Sequence, residues 1–303
     1  MTELSTAIPK STHDTWTVGD VRVTRVVEQV MPLAMSFLLP QVTTADVAAN
    51  EHWLRPDYID DDGAATLSSH SYVLETGGLR ILVDTGFGND KERTYYSTMA
   101  HLNLPYLEEL ASAGFPPESI DIVACTHLHL DHVGWNTVFR DGVWKPTFPN
   151  ARYILNKDEY DFWTRGGPEP SMEADQARVV ADSLAPVVQA GQVDFFTGRH
   201  EVAPGIMFEP FPGHSPGNSL LTISSQGEEA VIIGDIWHHP LEIVNSEWAY
   251  SDVDPDLAQK AREDLLELVL DKPILVLGTH WAGTSAGYVV TENGSPRVVS
   301  KQP

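Results

Sequence analysis

The sequence of 303 residues is poor in cysteine and in basic side chains. A single cysteine, Cys125, excludes an intramolecular disulfide and a cysteine-based zinc knuckle. Nineteen Lys and Arg residues stand against 43 Asp and Glu residues, which gives a formal net charge of −24 at pH 7. A surface of that sign repels phosphate groups, so we expect no nucleic-acid partner and no docking on an anionic membrane.

Long apolar runs are missing as well. Residues 1–16 lack the basic and apolar regions of a signal peptide. The most apolar early stretch, Val30–Leu39, has about half the length that a helix needs to cross a bilayer. This stretch could be a lid, the surface of a homodimer, or part of the core. We therefore expect a cytoplasmic protein with no membrane partner.

The hydrophobic pattern predicts strands and helices that intermix along the whole chain. Hairpins are expected around Gly19-Asp20 and Gly77-Gly78. Further strands are predicted at 120–125, 152–155, 193–196, 206–211, 219–224, 230–233 and 274–277, the last of which closes the pattern. Helices are predicted at 105–113, at 157–163, at 172–190 with a kink or an early end at Pro186, and from Asp254-Pro255 onward. No linker rich in Pro, Gly or Ser divides the chain, which indicates one α/β or α+β domain.

One short segment carries most of the chemistry. Residues 126–132 read THLHLDH and directly follow the predicted strand at 120–125. A chance match to H-x-H-x-D-H is expected about once in a thousand sequences of this composition. Neutral imidazole suits zinc, and a carboxylate adds charge neutralisation. Because residues two apart after a strand point the same way, His127 and His129 can hold one ion, and Asp131 and His132 could reach a second.

With this segment in view, the chain resembles the metallo-β-lactamase-fold hydrolase superfamily over about residues 66–290. Four further segments match in the expected order: Asp84-Thr85-Gly86, Pro212-Gly213-His214-Ser215-Pro216-Gly217, Ile233-Gly234-Asp235 and Gly278-Thr279-His280. The resemblance implies an α+β fold, an αββα four-layer sandwich in which two mixed β-sheets pack face to face with helices outside. It also implies one domain over 1–303, with an N-terminal extension at about 1–65 and a helical insert at about 157–190 that shapes the acyl pocket.

The resemblance further implies a dinuclear site with two Zn²⁺ ions, or Mn, Fe or Co ions, as cofactors. The implied ligands are His127, His129 and His214 for the first ion, Asp131, His132 and His280 for the second, and Asp235 as a bridge between both. A hydroxide between the ions would then attack the substrate. Asp84 is predicted to stand behind the ligands and to accept a hydrogen bond from a ligand histidine or a loop amide.

Within the superfamily the chain is most similar to N-acyl-homoserine lactonases and organophosphate hydrolases, because the interval between His132 and His214 leaves room for a helical insert. This predicts a quorum-quenching lactonase that acts on a small cyclic ester. In such lactonases a tyrosine shortly after the bridging Asp helps to stabilise the carbonyl oxygen. Residues 236–240 contain no tyrosine, so His238 is expected either to substitute as a hydrogen-bond donor or acid, or to be a loop histidine at the pocket rim. Asp131, Asp235 and His238 are thus the residues assigned to catalysis.

Several residues near the motifs have two interpretations. Cys125 is expected to be a small buried residue. Trp135, Asn136 and Trp281 follow metal segments closely and could line a substrate pocket or pack in the core.

Other functions stay open at this point. A thioesterase of the glyoxalase II type would share all seven ligands, but its basic C-terminal region is reduced here to Arg297 and Lys301. An organophosphate or aryl-ester hydrolase is a further alternative. A metal-binding scaffold without activity is the non-enzymatic one, although the complete set of polar ligands argues against it.

Overall fold

Two large sheets form the centre of the computed structural model, which describes residues 13–166 and 170–302. The strands are β1 (Thr15–Val18), β2 (Val21–Leu33), β3 (Ala65–Thr76), β4 (Leu79–Val83), β5 (Ile122–Ala124), β6 (Thr137–Arg140), β7 (Val143–Pro146), β8 (Arg152–Asn156), β9 (Val193–Phe196), β10 (His200–Ala203), β11 (Ile206–Pro210), β12 (Ser219–Ser225), β13 (Glu228–Ile232), β14 (Ile274–Leu277), β15 (Ala286–Glu292) and β16 (Ser295–Val299). The α-helices are α1 (Met35–Leu38), α2 (Thr44–Leu54), α3 (Tyr106–Ser112), α4 (Lys157–Thr164), α5 (Pro170–Val179), α6 (Ala185–Gln189) and α7 (Pro255–Val269).

Both large sheets are mixed. The first has the strand order β1-β2-β3-β4-β5-β8-β9, in which the pairs from β4 to β9 are parallel and the others antiparallel. The second has the order β10-β11-β12-β13-β14-β15-β16, with a parallel pair at β13–β14. Strands β6 and β7 form a separate hairpin.

Apolar side chains divide the molecule into layers. Between the sheets lie residues from both, among them Val23, Leu74, Ile81, Phe208, Leu221, Ile232 and Leu277. On the outer face of the second sheet, α7 packs through Ala261, Leu265 and Val269, which lie on one stripe of the helix. The outer face of the first sheet is covered by α3 and by helices of the 157–190 segment, through Leu110, Val179 and Val187. The αββα four-layer sandwich is therefore confirmed.

Capping residues explain where two predicted helices begin. The side chain of Asn156 accepts hydrogen bonds from the amides of Asp158 and Glu159 at the start of α4. Asp254 caps α7 in the same way, and Pro255 occupies its first turn. The helix predicted at 172–190 begins at Pro170 and is interrupted by a π-helical turn at Val180–Leu184, just before Pro186. Because proline lacks an amide hydrogen, a local change of helix type at this point is expected.

The structure also corrects the sequence prediction. The strand pattern does not close at β14, since β15 and β16 extend the second sheet. Strand β2 runs six residues beyond Val27, through a register shift at Glu28. The surface hairpin β6–β7 was missed because its polar and apolar residues do not alternate clearly, and the helix α2 was missed because its apolar residues do not form one stripe. The first twelve residues, on which the expectation about a signal peptide mostly rests, lie outside the described residues. No helix in the described part of the chain is long and apolar enough to cross a bilayer.

Candidate metal centre

The THLHLDH segment leaves the end of β5, beside the end of the parallel neighbour β4. Asp84, directly after β4, joins the two loops. Its carboxylate accepts hydrogen bonds of 2.8 Å from both the backbone amide and the hydroxyl group of Thr126, and it lies 2.9 Å from Nδ1 of His132. The predicted position of Asp84 behind the histidines is thus confirmed. Cys125 is fully buried, also as predicted, and burial raises the pKa of its thiol well above the usual value.

The second sheet supplies three more side chains to the same place. His214 follows β11, Asp235 follows β13 and His280 follows β14. The hydroxyl group of Thr279 donates hydrogen bonds to the carbonyl of Gly234 and to Oδ1 of Asp235, at 2.6 and 3.1 Å. The turn after β13 is thereby tied to the turn after β14.

Four of these residues form a first cluster, which consists of His127, His129, His214 and Asp235. Nδ1 of His129 lies 3.0 Å from Nε2 of His127 and 2.9 Å from Nε2 of His214. Oδ2 of Asp235 lies 3.7 and 3.6 Å from the same two Nε2 atoms.

A second cluster consists of Asp131, His132, Asp235 and His280. The Nε2 atoms of His132 and His280 are 3.2 Å apart. Oδ1 of Asp235 lies 3.3 and 3.2 Å from them, and Oδ2 of Asp131 lies 3.4 Å from His280. The two carboxylate oxygens of Asp235 therefore face different clusters, so this residue joins them.

The donor geometry fits divalent cations. A tetrahedral zinc ion with Zn–N bonds of about 2.05 Å holds two nitrogen ligands about 3.3 Å apart, close to the spacing of the nitrogens here. Nδ1 of His129 faces two other ring nitrogens and can share a hydrogen with only one of them. Burial, followed by the neighbouring imidazoles, holds the pKa of His127 and His129 well below the usual value, so both rings are neutral. The two clusters are consistent with a dinuclear metal site.

The family model of the metallo-beta-lactamase superfamily matches residues 64–280. The chain belongs to this superfamily. An N-acyl homoserine lactonase of Bacillus cereus is 28% identical to it over 221 residues, which are 68% of this chain and 79% of the relative. Two solved structures share the fold. AidC, a dizinc quorum-quenching lactonase in complex with a product, has a TM-score of 0.77 at 20% identity over 96% of this chain and 97% of its own. The hydrolase AbOPH has a TM-score of 0.78 at 22% identity over 97% and 99% of the two chains.

His238 lies inside the centre of this superfamily member. Its Nε2 atom is 3.2 Å from Oδ2 of Asp235, and its Nδ1 atom is 3.8 Å from Oε1 of Glu242. Burial lowers the pKa of His238, but Asp235 and then Glu242 outweigh it and raise the pKa to about 10. His238 is buried, and it lines a cavity that opens at the two clusters.

A cavity of about 220 Å³ opens above the two clusters. Its walls are mostly apolar: Met31, Leu33, Phe37, Leu38, Leu67, Phe87, Met99, Leu130 and Trp163. The early stretch Val30–Leu39 thus contributes to the wall of this cavity as well as to the core, where Leu39 is buried. The helical segment contributes Trp163 and Gln176. Among the described residues, no Lys or Arg lines the cavity.

Three residues that could have lined this cavity pack elsewhere. Trp135 stacks on Tyr106 and donates a hydrogen bond to Glu28. Asn136 is buried beside Cys125, and Trp281 is fully buried. For all three the packing interpretation is correct.

The sequence interpretation missed several residues of the wall. Tyr96 and Tyr250 line the cavity, and burial raises the pKa of both phenol groups. Asp175 accepts hydrogen bonds from the amides of residues 94–96, which fixes the loop that carries Tyr96. Tyr250 lies in an irregular segment and Tyr96 next to a single 3₁₀ turn, so neither has a periodic pattern that could have marked it. Phe87 directly follows the Asp84-Thr85-Gly86 turn, and this position was its only signal.

Proposed function

We propose that the protein is a dinuclear-metal hydrolase that opens a lactone of the N-acyl-homoserine-lactone kind. The observation that carries this proposal is the cavity: its walls are mostly apolar, include no Lys or Arg among the described residues, and end at two clusters joined by Asp235. A neutral cyclic ester with an aliphatic acyl chain suits such walls. A glutathione thioester or a phosphodiester would bring negative charge to a wall in which the described residues include no Lys or Arg. The 28% identity to a lactonase supports the same substrate class.

We propose the seven residues of the two clusters as ligands of two Zn²⁺ ions. Two divalent ions, when bound, lower the pKa of a shared water and polarise a carbonyl group. Asp235 keeps the two ligand sets at a fixed separation, because each of its oxygens faces one cluster. The donor set is also compatible with Mn, Fe or Co, since imidazole and carboxylate bind these metals too.

The chain's own residues bind the substrate and move the proton. The apolar walls hold the acyl chain and exclude water from it. In the reaction the oxygen of a water bonds to the carbonyl carbon of the lactone ring, and the bond from that carbon to the ring oxygen breaks. A proton ends on the ring oxygen, which leaves as an alcohol. Nε2 of His238 faces the cavity beside Asp235, where it can donate a hydrogen bond to a substrate oxygen. Asp131 also faces the cavity, and its partly exposed carboxylate is placed to carry the proton to the leaving oxygen.

A substrate panel with zinc-loaded protein tests this proposal. The panel contains acyl-homoserine lactones of several chain lengths, an aliphatic lactone, a paraoxon-type triester, a glutathione thioester and a β-lactam. We expect the highest kcat/KM for an acyl-homoserine lactone and no turnover after chelation of the metal. A higher value for the thioester or the triester would assign the alternative class. Protein that holds two ions per chain and hydrolyses none of these compounds would favour the scaffold. His214→Ala is the matched variant, expected to remain folded and to lose lactone hydrolysis.

A further inference from the structure

A buried carboxylate lies next to a histidine of the first cluster, and it belongs to none of the motifs found in the sequence. Oδ1 of Asp252 lies 3.4 Å from Nδ1 of His214, and the side chain of Asp252 is only 2% exposed. Both atoms are buried, and neither has a hydrogen-bond partner among the described residues, so each is the nearest polar group that the other can use. We propose that Asp252, held in place by Arg262, is a positioning residue for His214 and, through it, for the first metal ion.

Arg262 of α7 fixes Asp252 from the other side. Its Nη1 atom donates a 2.9 Å hydrogen bond to Oδ2 of Asp252, and its Nε atom donates a 2.7 Å hydrogen bond to the carbonyl oxygen of Ser246. The guanidinium group is buried. It therefore holds both ends of the segment 246–252 and leaves the second oxygen of Asp252 directed at His214. A buried ion pair of this kind is retained only with good geometry on both sides.

The backbone holds the loop of His214 against the same helix. The amide of Val253 donates to the carbonyl of His214 at 3.1 Å, and the amide of Asp254 donates to the carbonyl of Gly213 at 2.9 Å. Gly213 has a φ of +139°, and a Cβ atom at this position would lie 2.2 Å from the amide nitrogen of Ala258. The loop thus rests directly on the first turn of α7, so the position of His214 depends on this helix.

The two clusters have separate carboxylates behind their histidines. In the second cluster, Asp84 lies 2.9 Å from Nδ1 of His132. In the first cluster, Asp252 takes the corresponding place behind His214. A carboxylate at the distal nitrogen fixes the tautomer, so that Nε2 presents its lone pair to the cluster, and it makes the ring a stronger ligand. Because Asp84 follows β4 of the first sheet and Asp252 lies in the segment before α7, a substitution at one of them should weaken the binding of one ion alone.

The inference rests on the proposed dinuclear site, and zinc binding tests both without any substrate. Metal-free protein is titrated with Zn²⁺ against a chromophoric chelator, for the wild type, Asp252→Asn, Arg262→Lys and Asp84→Asn. Asp256→Asn, an exposed carboxylate in the first turn of α7, is the matched control. We expect two ions per chain in the wild type and in the control. Asp252→Asn should bind one of the two ions about 10- to 100-fold more weakly and the other as tightly as before.

Double variants show which ion is affected. Asp252→Asn should add little to the loss of zinc affinity already caused by His214→Ala, because both substitutions act on the first ion. The losses of zinc affinity caused by Asp252→Asn and Asp84→Asn should instead be additive. A wild type that binds fewer than two ions would reject the dinuclear site itself. A wild type with two ions and an Asp252→Asn variant that binds both equally tightly would reject the role of Asp252. If Asp252→Asn does not fold, the folded Arg262→Lys variant replaces it in the test. Unchanged zinc affinity of Arg262→Lys would mean that the Asp252–Arg262 pair contributes only to the stability of the fold.

Discussion

Glu159 accepts a 2.6 Å hydrogen bond from the indole nitrogen of Trp163, one turn further along α4. The same buried carboxylate accepts hydrogen bonds from the amide of Gly217 at 2.7 Å and from the amide of Leu128 at 3.3 Å. The ring of Trp163 lies 5.1 Å from that of His129 and forms part of the cavity wall. Glu159 therefore connects two loops that carry candidate ligands to a side chain that lines the cavity.

Replacing Glu159 with Gln should weaken this connection. All three native partners of Glu159 donate a hydrogen bond to its carboxylate. The amide nitrogen of Gln is itself a donor, so at least one of the three partners loses its acceptor. We expect a free energy of unfolding about 1–3 kcal/mol lower, measured by urea denaturation, and a higher KM for lactones. The exposed neighbour Asp158→Asn should change neither quantity. Equal stability of Glu159→Gln and wild type would show that the hydrogen bonds of Glu159 are dispensable.

His238→Ala should lower kcat without loss of metal. If His238 donates a hydrogen bond or a proton to the substrate, kcat should fall about 100-fold or more, while two zinc ions per chain remain bound. His238→Gln keeps an N–H group near the same place and should retain part of the rate. The measurement is steady-state kinetics together with metal analysis. Loss of an ion from His238→Ala would instead identify His238 as part of the metal site.

Phe37→Ala should affect long acyl chains selectively. Phe37 is 55% exposed at the cavity wall, where its ring lies 5.7 Å from that of Tyr250. Removal of this apolar contact should raise KM for long-chain lactones by about fivefold, equivalent to about 1 kcal/mol, and leave short-chain lactones unchanged. Phe139→Ala, an exposed aromatic of the β6–β7 hairpin, is the control. A similar increase of KM for all chain lengths would mean that Phe37 does not contact the chain.

Lys91 makes the stability of the fold depend on pH. Its ammonium group is buried, donates a 2.7 Å hydrogen bond to the hydroxyl group of Thr137 and lies 3.7 Å from the ring centre of Trp144. Burial lowers the pKa of Lys91 to about 7, although the charge of Asp182 opposes this. In the unfolded chain the pKa returns to about 10.4. Between these values the unfolded state binds more protons than the native state, so the free energy of unfolding rises with pH.

Lys91→Met should remove this contribution. The difference in the free energy of unfolding between wild type and variant is expected to shift in favour of the wild type by up to about 1.4 kcal/mol per pH unit between pH 7 and 10. Urea denaturation at several pH values and constant zinc concentration measures it, and the difference cancels the titration of all other groups. Parallel pH profiles of the two proteins would contradict the lowered pKa of Lys91.

The sequence predicted those residues of the candidate centre that lie together in one short segment or in a recognisable motif. An apolar strand followed at once by THLHLDH fixes where four of the side chains lie, and the resemblance supplied His214, Asp235 and His280, which the structure places beside them. Asp252 and Glu159 could not be predicted, because their partners are distant in the chain and no spacing rule connects them. Trp281 shows the opposite case, since it directly follows a candidate ligand and yet lies in the core. Closeness in sequence to a motif therefore does not determine which way a side chain points.

Asp235 and its six companions come from two layers, four from turns after the first sheet and three from turns after the second. A cation bound by residues of both layers would link the two sheets, so its affinity depends on how completely the two sheets have docked. Neither half could chelate the pair alone. The candidate centre is therefore complete only when the two sheets have docked, and a chain with misdocked sheets lacks it.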